Sequence, residues 1–186
     1  MNYSAIKMYD VANGPGVRMS LFVSGCPHHC KNCFNQETWD YKNGNEFTHV
    51  ECWNMINTLK EKKNIYKGVT ILGGEPLCPD NLTNVYFFIR RLRIEIPEIN
   101  IWVYTGYTLE ELYETVYSEK TKQMSEFARQ DFCNLLQIID VLVDGRFIEE
   151  EKDLSIKFRG SRNQRIIDMK NTIQEKKIIC IPDDKI

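Results

Sequence analysis

Three cysteines stand close together near the beginning of the chain. Cys26, Cys30 and Cys33 form a C-x3-C-x2-C pattern within residues 25–36. Thiolates held in so short a loop can converge on one metal centre, and soft thiolate ligands select zinc, copper(I) or iron–sulfur clusters. A closed structural zinc site takes four ligands, and an ordinary four-iron cluster takes four cysteines. Three cysteines would leave one iron of a cluster without a protein ligand, and an open iron is a place where chemistry can occur.

A structural zinc site is the alternative interpretation of the same cysteines. It requires a fourth ligand, for which His28, His29 and Cys52 are the candidates. Such a site would staple the chain into an interaction module without catalysis. If the site is an iron–sulfur cluster instead, we expect the two histidines to be loop residues and not ligands.

A glycine-rich segment follows a later apolar run. Residues 73–76 read Gly-Gly-Glu-Pro, and two glycines let the backbone approach a ligand closely because no side chain stands in the way. An exposed carbonyl edge there would suit a ligand's ammonium group, with Glu75 supporting the turn. On its own, however, this tetrapeptide is also a common turn.

Alternating strands and helices are predicted to position these segments. The predicted strands span residues 19–24, 69–72, 100–104 and 138–143, and the predicted helices span residues 47–62, 80–95, 108–116 and 125–137. This alternation predicts βαβ units around a parallel sheet, and therefore an α/β fold. In such sheets ligands collect at the carboxyl ends of the strands. Because the cysteine and glycine segments each come directly after a strand, we expect them to share one site.

Local patterns refine two of these helices. Asp80 or Asn81 is expected to cap the second helix, and Thr108 with Glu111 forms the capping-box pattern at the start of the third. The residues expected to face the core are, in the first helix, Val50, Trp53, Met55, Ile56 and Leu59 and, in the second, Val85, Phe88, Ile89 and Leu92.

Taken together, these segments resemble a known protein family. The cysteine pattern after a short apolar strand resembles the radical S-adenosylmethionine (SAM) superfamily. The full set of segments resembles the activating proteins of anaerobic (class III) ribonucleoside-triphosphate reductase. The segments that carry this resemblance, in the family's order, are residues 13–18, 21–30, 33–40, 72–77, 101–107, 139–147 and 158–165.

The resemblance covers about residues 9–168 and implies an incomplete (βα) barrel with a mostly parallel sheet. A complete eight-unit barrel is excluded because it typically needs about 250 residues. We expect one domain over residues 1–186, in which residues 169–186 form a C-terminal extension. The apolar run at residues 178–181 is a candidate edge strand.

The resemblance also implies two cofactors, a 4Fe–4S cluster and SAM. Cys26, Cys30 and Cys33 would ligate the cluster, and the amino and carboxylate groups of SAM would bind its open iron. The residues expected to lie against SAM are Asn32, Cys33, Phe34, Gly73, Gly74 and Glu75. Thr105, Tyr107 and Asp144 are either further parts of the SAM pocket or helix caps and turn residues.

The implied activity is the generation of a glycyl radical on a partner protein. Reduced flavodoxin or a similar donor would supply one electron, which breaks the sulfur–C5′ bond of SAM into methionine and a 5′-deoxyadenosyl radical. That radical would take a hydrogen atom from one glycine Cα in the glycyl-radical subunit of the reductase. The alternatives are another glycyl-radical enzyme such as pyruvate formate-lyase, a radical SAM reaction on a small molecule, or the zinc-stapled module.

A basic stretch near the end of the resemblance has two interpretations. Arg159, Arg162, Asn163 and Arg165 would either dock the partner protein or form a solvated basic face.

Composition narrows the remaining possibilities. The net charge of −2 lacks the basic excess of a nucleic-acid-binding protein. No apolar run approaches the ~20 residues that span a bilayer, and the first residues do not resemble a signal peptide. Seven cysteines without secretory context argue for a soluble protein of the reducing cytoplasm. Cys52, Cys78, Cys133 and Cys180 are expected to be small buried hydrophobic residues.

Overall fold

One seven-stranded sheet organises the part of the chain described by this computed structural model, residues 1–117 and 126–186. The strands in these residues are β1 (Asn2–Asp10), β2 (Arg18–Val23), β3 (Asn45–Glu46), β4 (Gly68–Gly73), β5 (Asn100–Tyr104), β6 (Val141–Asp144) and β7 (Arg165–Asp168). The α-helices are α1 (His49–Glu61), α2 (Pro79–Glu95), α3 (Leu109–Tyr117), α4 (Glu126–Ile138) and α5 (Met169–Glu175). The predicted start of the fourth helix, Ser125, lies outside the described residues.

The strand order is β3-β1-β2-β4-β5-β6-β7. The four central strands β2, β4, β5 and β6 are parallel and follow one another in chain order. At the edges, β1 pairs antiparallel with β2 and β3, and β7 pairs antiparallel with β6. The predicted α/β fold is confirmed, and all four predicted strands are present. The antiparallel strands β1, β3 and β7 were not predicted.

The two faces of the sheet have different chemistry. On one face, alternate residues such as Leu21, Ile71 and Val103 join the main apolar core, which also contains buried residues of α1, α2 and α4. The other face carries polar groups, among them the buried Arg18 and Thr70, besides a small apolar cluster. The helices cover the first face, whereas the second face packs against Phe158, Ile181 and Ile186.

In helix α1, two of the residues predicted to face the core are partly exposed. Met55, Ile56 and Leu59 are buried as predicted, but Val50 is 63% exposed and Trp53 is 39% exposed. The apolar stripe that contacts the sheet is therefore narrower than predicted, and the guanidinium of Arg91 covers the Trp53 ring at 4.4 Å instead. In α2 the predicted inward residues are all buried. Within the described residues, no helix combines the length and apolar character needed to cross a membrane.

The start of α2 also differs from the prediction. Its N-cap is Cys78, and neither Asp80 nor Asn81 caps it. The amide of Asn81 instead donates hydrogen bonds to the carbonyl oxygens of Ser24 (2.9 Å) and Glu75 (3.1 Å). The residue is thus used to join two loops, and Pro79 at the first helical position supplies the local start signal.

The predicted capping box of α3 is confirmed. The backbone N–H of Thr108 donates to Glu111 Oε2 at 2.9 Å, and the N–H of Glu111 donates to Thr108 Oγ1 at 3.2 Å. The predicted strand at residues 138–143 is shorter, because α4 continues to Ile138 and β6 begins at Val141.

The C-terminal residues run along the outer edge of β7. Instead of a full edge strand, residues 178–181 form one bridge between Ile167 and Cys180. Two further backbone hydrogen bonds extend it, from Asp168 N to Ile179 O (2.9 Å) and from Ile181 N to Ile166 O (2.7 Å).

Candidate functional site

The loops that follow the four parallel strands meet at one cleft of about 130 Å³. Its lining includes Cys26, Cys30, Cys33 and Phe34 after β2, Gly73, Gly74 and Glu75 after β4, Thr105 and Gly106 after β5, and Gly145 and Phe147 after β6. The carboxyl ends of parallel strands are where α/β folds place their ligands. The structure therefore brings together the cysteine and glycine segments that the sequence predicted to share a site.

The three cysteines are free thiols that face this cleft. Cys26 is buried, and burial raises the pKa of its thiol to about 11. Burial also raises the pKa of Cys30. The backbone N–H of Asn35 points to Cys33 Sγ at 3.4 Å. Soft sulfur donors with amide N–H groups beside them suit an iron–sulfur cluster.

The thiols share the cleft without forming a ready-made metal site. Across residues 1–117 and 126–186, no three His, Cys, Asp or Glu side chains stand close enough together to hold a metal ion. The candidates for a fourth zinc ligand are engaged elsewhere. His28 Nε2 contacts the Glu75 carboxylate at 2.9 Å, His29 stacks on Trp39, and Cys52 lines a separate groove beside α1. His28 and Glu75 line the cleft as well, but they bond to each other, which favours the three thiols as its donor set.

Glu75 connects the loops around the cleft. Its side chain is fully buried. Oε1 accepts hydrogen bonds from Leu77 N (2.9 Å) and Thr105 Oγ1 (2.7 Å), while Oε2 accepts from Gly106 N at 2.6 Å and meets His28 Nε2. A buried carboxylate requires such partners. Glu75 therefore has the supporting position expected for it, since its oxygens are used within the protein.

A chain of contacts continues from Glu75 through His28. Arg146 Nε donates to His28 Nδ1 at 3.2 Å, which leaves Nε2 as the nitrogen that donates to Glu75. Arg146 Nη1 in turn donates to Glu111 Oε1 at 2.9 Å. The His28 ring also packs edge-on against Tyr107, with ring centroids 4.4 Å apart. Sequence reasoning missed Arg146 in this role, although the residue lies in one of the segments that carry the family resemblance.

The glycines of the second segment allow the loops to approach each other. A Cβ atom on Gly74 would stand 2.3 Å from the carbonyl oxygen of Gly25. Gly73 has a φ of +117°, where a Cβ atom would stand 2.6 Å from the backbone of Val23. Any side chain here would push the cysteine loop away from β4. The close approach predicted between this segment and a ligand exists already between this segment and the cysteine loop.

The remaining predicted SAM neighbours lie at different depths. Phe34 lines the cleft but is 90% exposed. Asn32 is an exposed residue in the left-handed region, with φ of +55°, and lies outside the cleft lining. Thr105 lines the cleft. Asp144 accepts a hydrogen bond from Leu109 N at 2.8 Å, so this carboxylate supports the start of α3.

The arginines of the basic stretch are paired within the chain. Arg165 bridges the buried Asp144 and the more exposed Glu110, and its hydrogen bonds lower the pKa of Glu110 to about 2. Arg159 pairs with Asp183, and Arg162 pairs with Asp153. The amide of Asn163 donates to the carbonyl oxygen of Arg146 at 2.8 Å. Internal pairing leaves this stretch with little free positive charge for a partner.

The four other cysteines follow the prediction only in part. Cys78 is fully buried, and Tyr41 Oη lies 3.8 Å from its sulfur. Cys52 and Cys133 are half-buried against the main core. The prediction is wrong for Cys180, which is exposed because its segment runs along the outer edge of the sheet.

Comparison with known proteins identifies a matching family. Residues 12–167 match the family described as "4Fe-4S single cluster domain". This range includes the three cysteines and the loops that follow all four parallel strands.

Several curated proteins are similar over nearly their whole length. A Vibrio cholerae protein is 41% identical over 166 residues, which cover 89% of this chain and 97% of that protein. A Haemophilus influenzae protein is 42% identical with the same coverage. A protein of Enterobacteria phage T4 is 36% identical over 173 residues, covering 89% of this chain and 93% of that protein. Each is named anaerobic ribonucleoside-triphosphate reductase-activating protein.

Proposed function

This chain belongs to the family of anaerobic ribonucleoside-triphosphate reductase-activating proteins, and from that premise we propose that it activates such a reductase by radical SAM chemistry. The observation that carries the proposal is the cleft, where three thiols, the Gly73–Gly74 turn and Thr105 face one another at the carboxyl ends of parallel strands. The relatives' names favour this partner over another glycyl-radical enzyme such as pyruvate formate-lyase.

The cofactors in this proposal are a 4Fe–4S cluster on Cys26, Cys30 and Cys33, and SAM. When bound, they supply one-electron cleavage of SAM to methionine and a carbon radical, which takes a hydrogen atom from a glycine Cα of the reductase. A reduced donor such as flavodoxin provides the electron. Cofactors carry this chemistry, and the protein contributes binding, orientation and shielding.

The chain's own residues have three tasks in this reaction. On binding the cluster, the cysteine loop would bring its three thiols together, and those thiols would release their protons because metal ligands must be thiolates. Glu75 and His28 hold this loop against the loops after β4 and β5. The backbone of Gly73 and Gly74, which lines the cleft, would offer SAM its carbonyl edge, with Phe34 beside it.

The fold suits a protein substrate. We propose that the four parallel strands are an incomplete barrel of the radical SAM type, in one domain over residues 1–186. Two observations support this: the strands follow chain order, and the core helices cover only one face. An open barrel leaves room for a segment of a partner protein. All seven cysteines are free thiols, which supports a reducing compartment such as the cytoplasm.

The test is anaerobic reconstitution with iron and sulfide, followed by reduction, addition of SAM and measurement of 5′-deoxyadenosine. The reductase is included in parallel samples watched by electron paramagnetic resonance. Cys30→Ala should lose bound iron and product, whereas Cys180→Ala, which removes an exposed thiol remote from the cleft, should retain both. A glycyl doublet on the reductase would establish the partner.

Other outcomes would count against specific parts of the proposal. Product without the doublet would retain the radical SAM chemistry but reject this partner. Bound zinc, no labile sulfide and no product would support the non-catalytic zinc-stapled module instead.

A further inference from the structure

The loop between β6 and β7, residues 145–164, leaves the cleft and returns to it. Gly145 and Phe147 at its beginning line the cleft, and so does Gln164 at its end. The side-chain amide of Gln164 donates to the carbonyl oxygen of Gly145 at 3.0 Å, which ties the two ends together. Residues 145–164 are here called the rim loop. Both ends of the rim loop line the cleft, and its middle lies beyond the cleft lining.

The rim loop has an ordered tip. The carboxylate of Asp153 accepts hydrogen bonds from Ser155 N (2.8 Å), Ser155 Oγ (2.6 Å) and Arg162 Nε (2.8 Å). Asp153 N donates to Gly160 O at 3.2 Å, and Lys152 and Ser161 form a β-bridge. A tip held by this many bonds loses little conformational entropy when it binds a partner.

The rim loop is also fixed to the face of the sheet that the helices do not cover. The ring of Phe158 packs edge-on against Trp102 of β5, with centroids 5.7 Å apart. Tyr104 Oη donates to the carbonyl oxygen of Phe158 at 2.9 Å. On the other side, Lys31 of the cysteine loop pairs with Glu150 at 3.4 Å. The loop thus has a defined position relative to both the cleft and the cysteines.

Leu154 stands at the tip and is 88% exposed. Single exposed leucines are ordinary on protein surfaces, but this one is presented by an ordered loop whose two ends line the cleft. Of the charged groups nearby, Arg162 pairs with Asp153 and Glu150 pairs with Lys31. Leu154 is the most exposed large apolar side chain of the tip.

We propose that Leu154 is the anchor through which the rim loop docks the reductase, by entering an apolar socket on that protein. The inference rests on the proposed function, in which the substrate atom belongs to the backbone of a folded partner. A partner whose glycine reaches into the cleft must cover the rim of the cleft. Its surface therefore meets the rim loop, while the helix-covered face of the sheet stays free.

The test compares Leu154→Ser with Val50→Ser, which removes a similarly exposed apolar side chain from α1. Glycyl-radical formation is measured against reductase concentration, and 5′-deoxyadenosine is measured without reductase. Leu154→Ser should raise the KM for the reductase roughly tenfold to hundredfold, the loss expected for one buried leucine. The rate at saturating reductase, the iron content and the uncoupled SAM cleavage should stay at wild-type values. Leu154→Met should restore most of the affinity.

Three results would overturn the docking role. They are an unchanged KM in Leu154→Ser, an equal loss in Val50→Ser, and a loss of uncoupled SAM cleavage in Leu154→Ser. A wild-type protein that cleaves no SAM or forms no glycyl radical would instead reject the proposed function, and the docking role with it. The two failures are therefore distinguishable.

Discussion

The two ends of the four parallel strands both bury charged groups, but they hold them in different ways. At the carboxyl end, beside the cleft, the buried groups are the carboxylates of Glu75 and Asp144. At the amino end, the guanidinium of Arg18 at the start of β2 is buried opposite Asp10 of β1, whose carboxylate is also buried. Burying either kind of charge is costly unless hydrogen bonds compensate it.

The two ends use these bonds differently. Arg18 bonds directly to the neighbouring strands, through Nε to Thr70 Oγ1 (2.6 Å) and through Nη2 to the carbonyl oxygens of Val69 (2.8 Å) and Asn100 (3.1 Å). Burial lowers its pKa to about 10, so the group stays charged at neutral pH. Glu75 instead joins loops after different strands, and the cleft lies between those loops. We infer that the amino end serves stability, whereas the carboxyl end serves both stability and the site.

The largest effect is expected from Glu75→Ala. It would leave the N–H groups of Leu77 and Gly106, the Thr105 hydroxyl and His28 without their acceptor. Each buried donor left without an acceptor costs about 1–3 kcal/mol, and the free energy of unfolding, measured with urea, should fall by several such steps, about 3–5 kcal/mol in all. Iron bound after reconstitution should fall as well, because the cysteine loop loses its tie through His28. A variant that unfolds like wild type, or one that loads iron fully, would contradict the role given to Glu75.

A smaller effect is expected from Arg18→Met, which keeps much of the side chain's volume at the opposite end. Several hydrogen bonds to neighbouring strands are lost, and stability should fall by about 2–3 kcal/mol. Iron loading and SAM cleavage by the folded variant should remain near wild type, with Arg18→Lys falling between the two in stability. If Arg18→Met loads as little iron as Glu75→Ala, the distinction between the two ends is wrong.

The smallest expected effect is on the pH dependence of stability. Hydrogen bonds from Arg165 lower the pKa of Glu110 from 4.5 to about 2. A carboxyl whose pKa is lower in the folded state adds stability above its unfolded pKa, and that contribution is lost as the pH falls from 4.5 towards 2. Because Glu110 is more than half exposed, the contribution should stay below about 1 kcal/mol.

The matched variant is Glu110→Gln. Between pH 4.5 and 2, its urea midpoint should fall less steeply than that of wild type, whereas Glu150→Gln, at a more exposed pair, should change this slope less. Parallel curves for Glu110→Gln and wild type would show that the pair does not contribute.

The sequence predicted the elements whose signals are local. The strands that became β2, β4 and β5 are apolar runs, each followed by a turn or a loop, and the capping box of α3 depends on Thr108 and Glu111 alone. The cysteine and glycine segments were found for the same reason. Their meeting at one cleft could be expected because parallel strands share a carboxyl edge.

Features that depend on remote partners were not predictable in this way. The strand β1 alternates polar and apolar residues weakly and exists through its pairing with β2. The link from Arg146 through His28 to Glu75 joins residues up to 118 positions apart. Asn81 resembled a helix cap locally, but its amide is taken by the carbonyls of Ser24 and Glu75. Each of these three features depends on tertiary contacts that a local sequence pattern does not show.

The C-terminal residues along β7 have a consequence for self-association. An edge strand with free N–H and C=O groups is a template on which another chain can add a strand. Here residues 178–181 occupy part of that template through the bonds of Ile166, Ile167 and Asp168. The outer side of β7 is thereby protected against edge-to-edge aggregation. Contact with other proteins is left to side chains at the loops, where specificity is easier to encode than along a bare backbone.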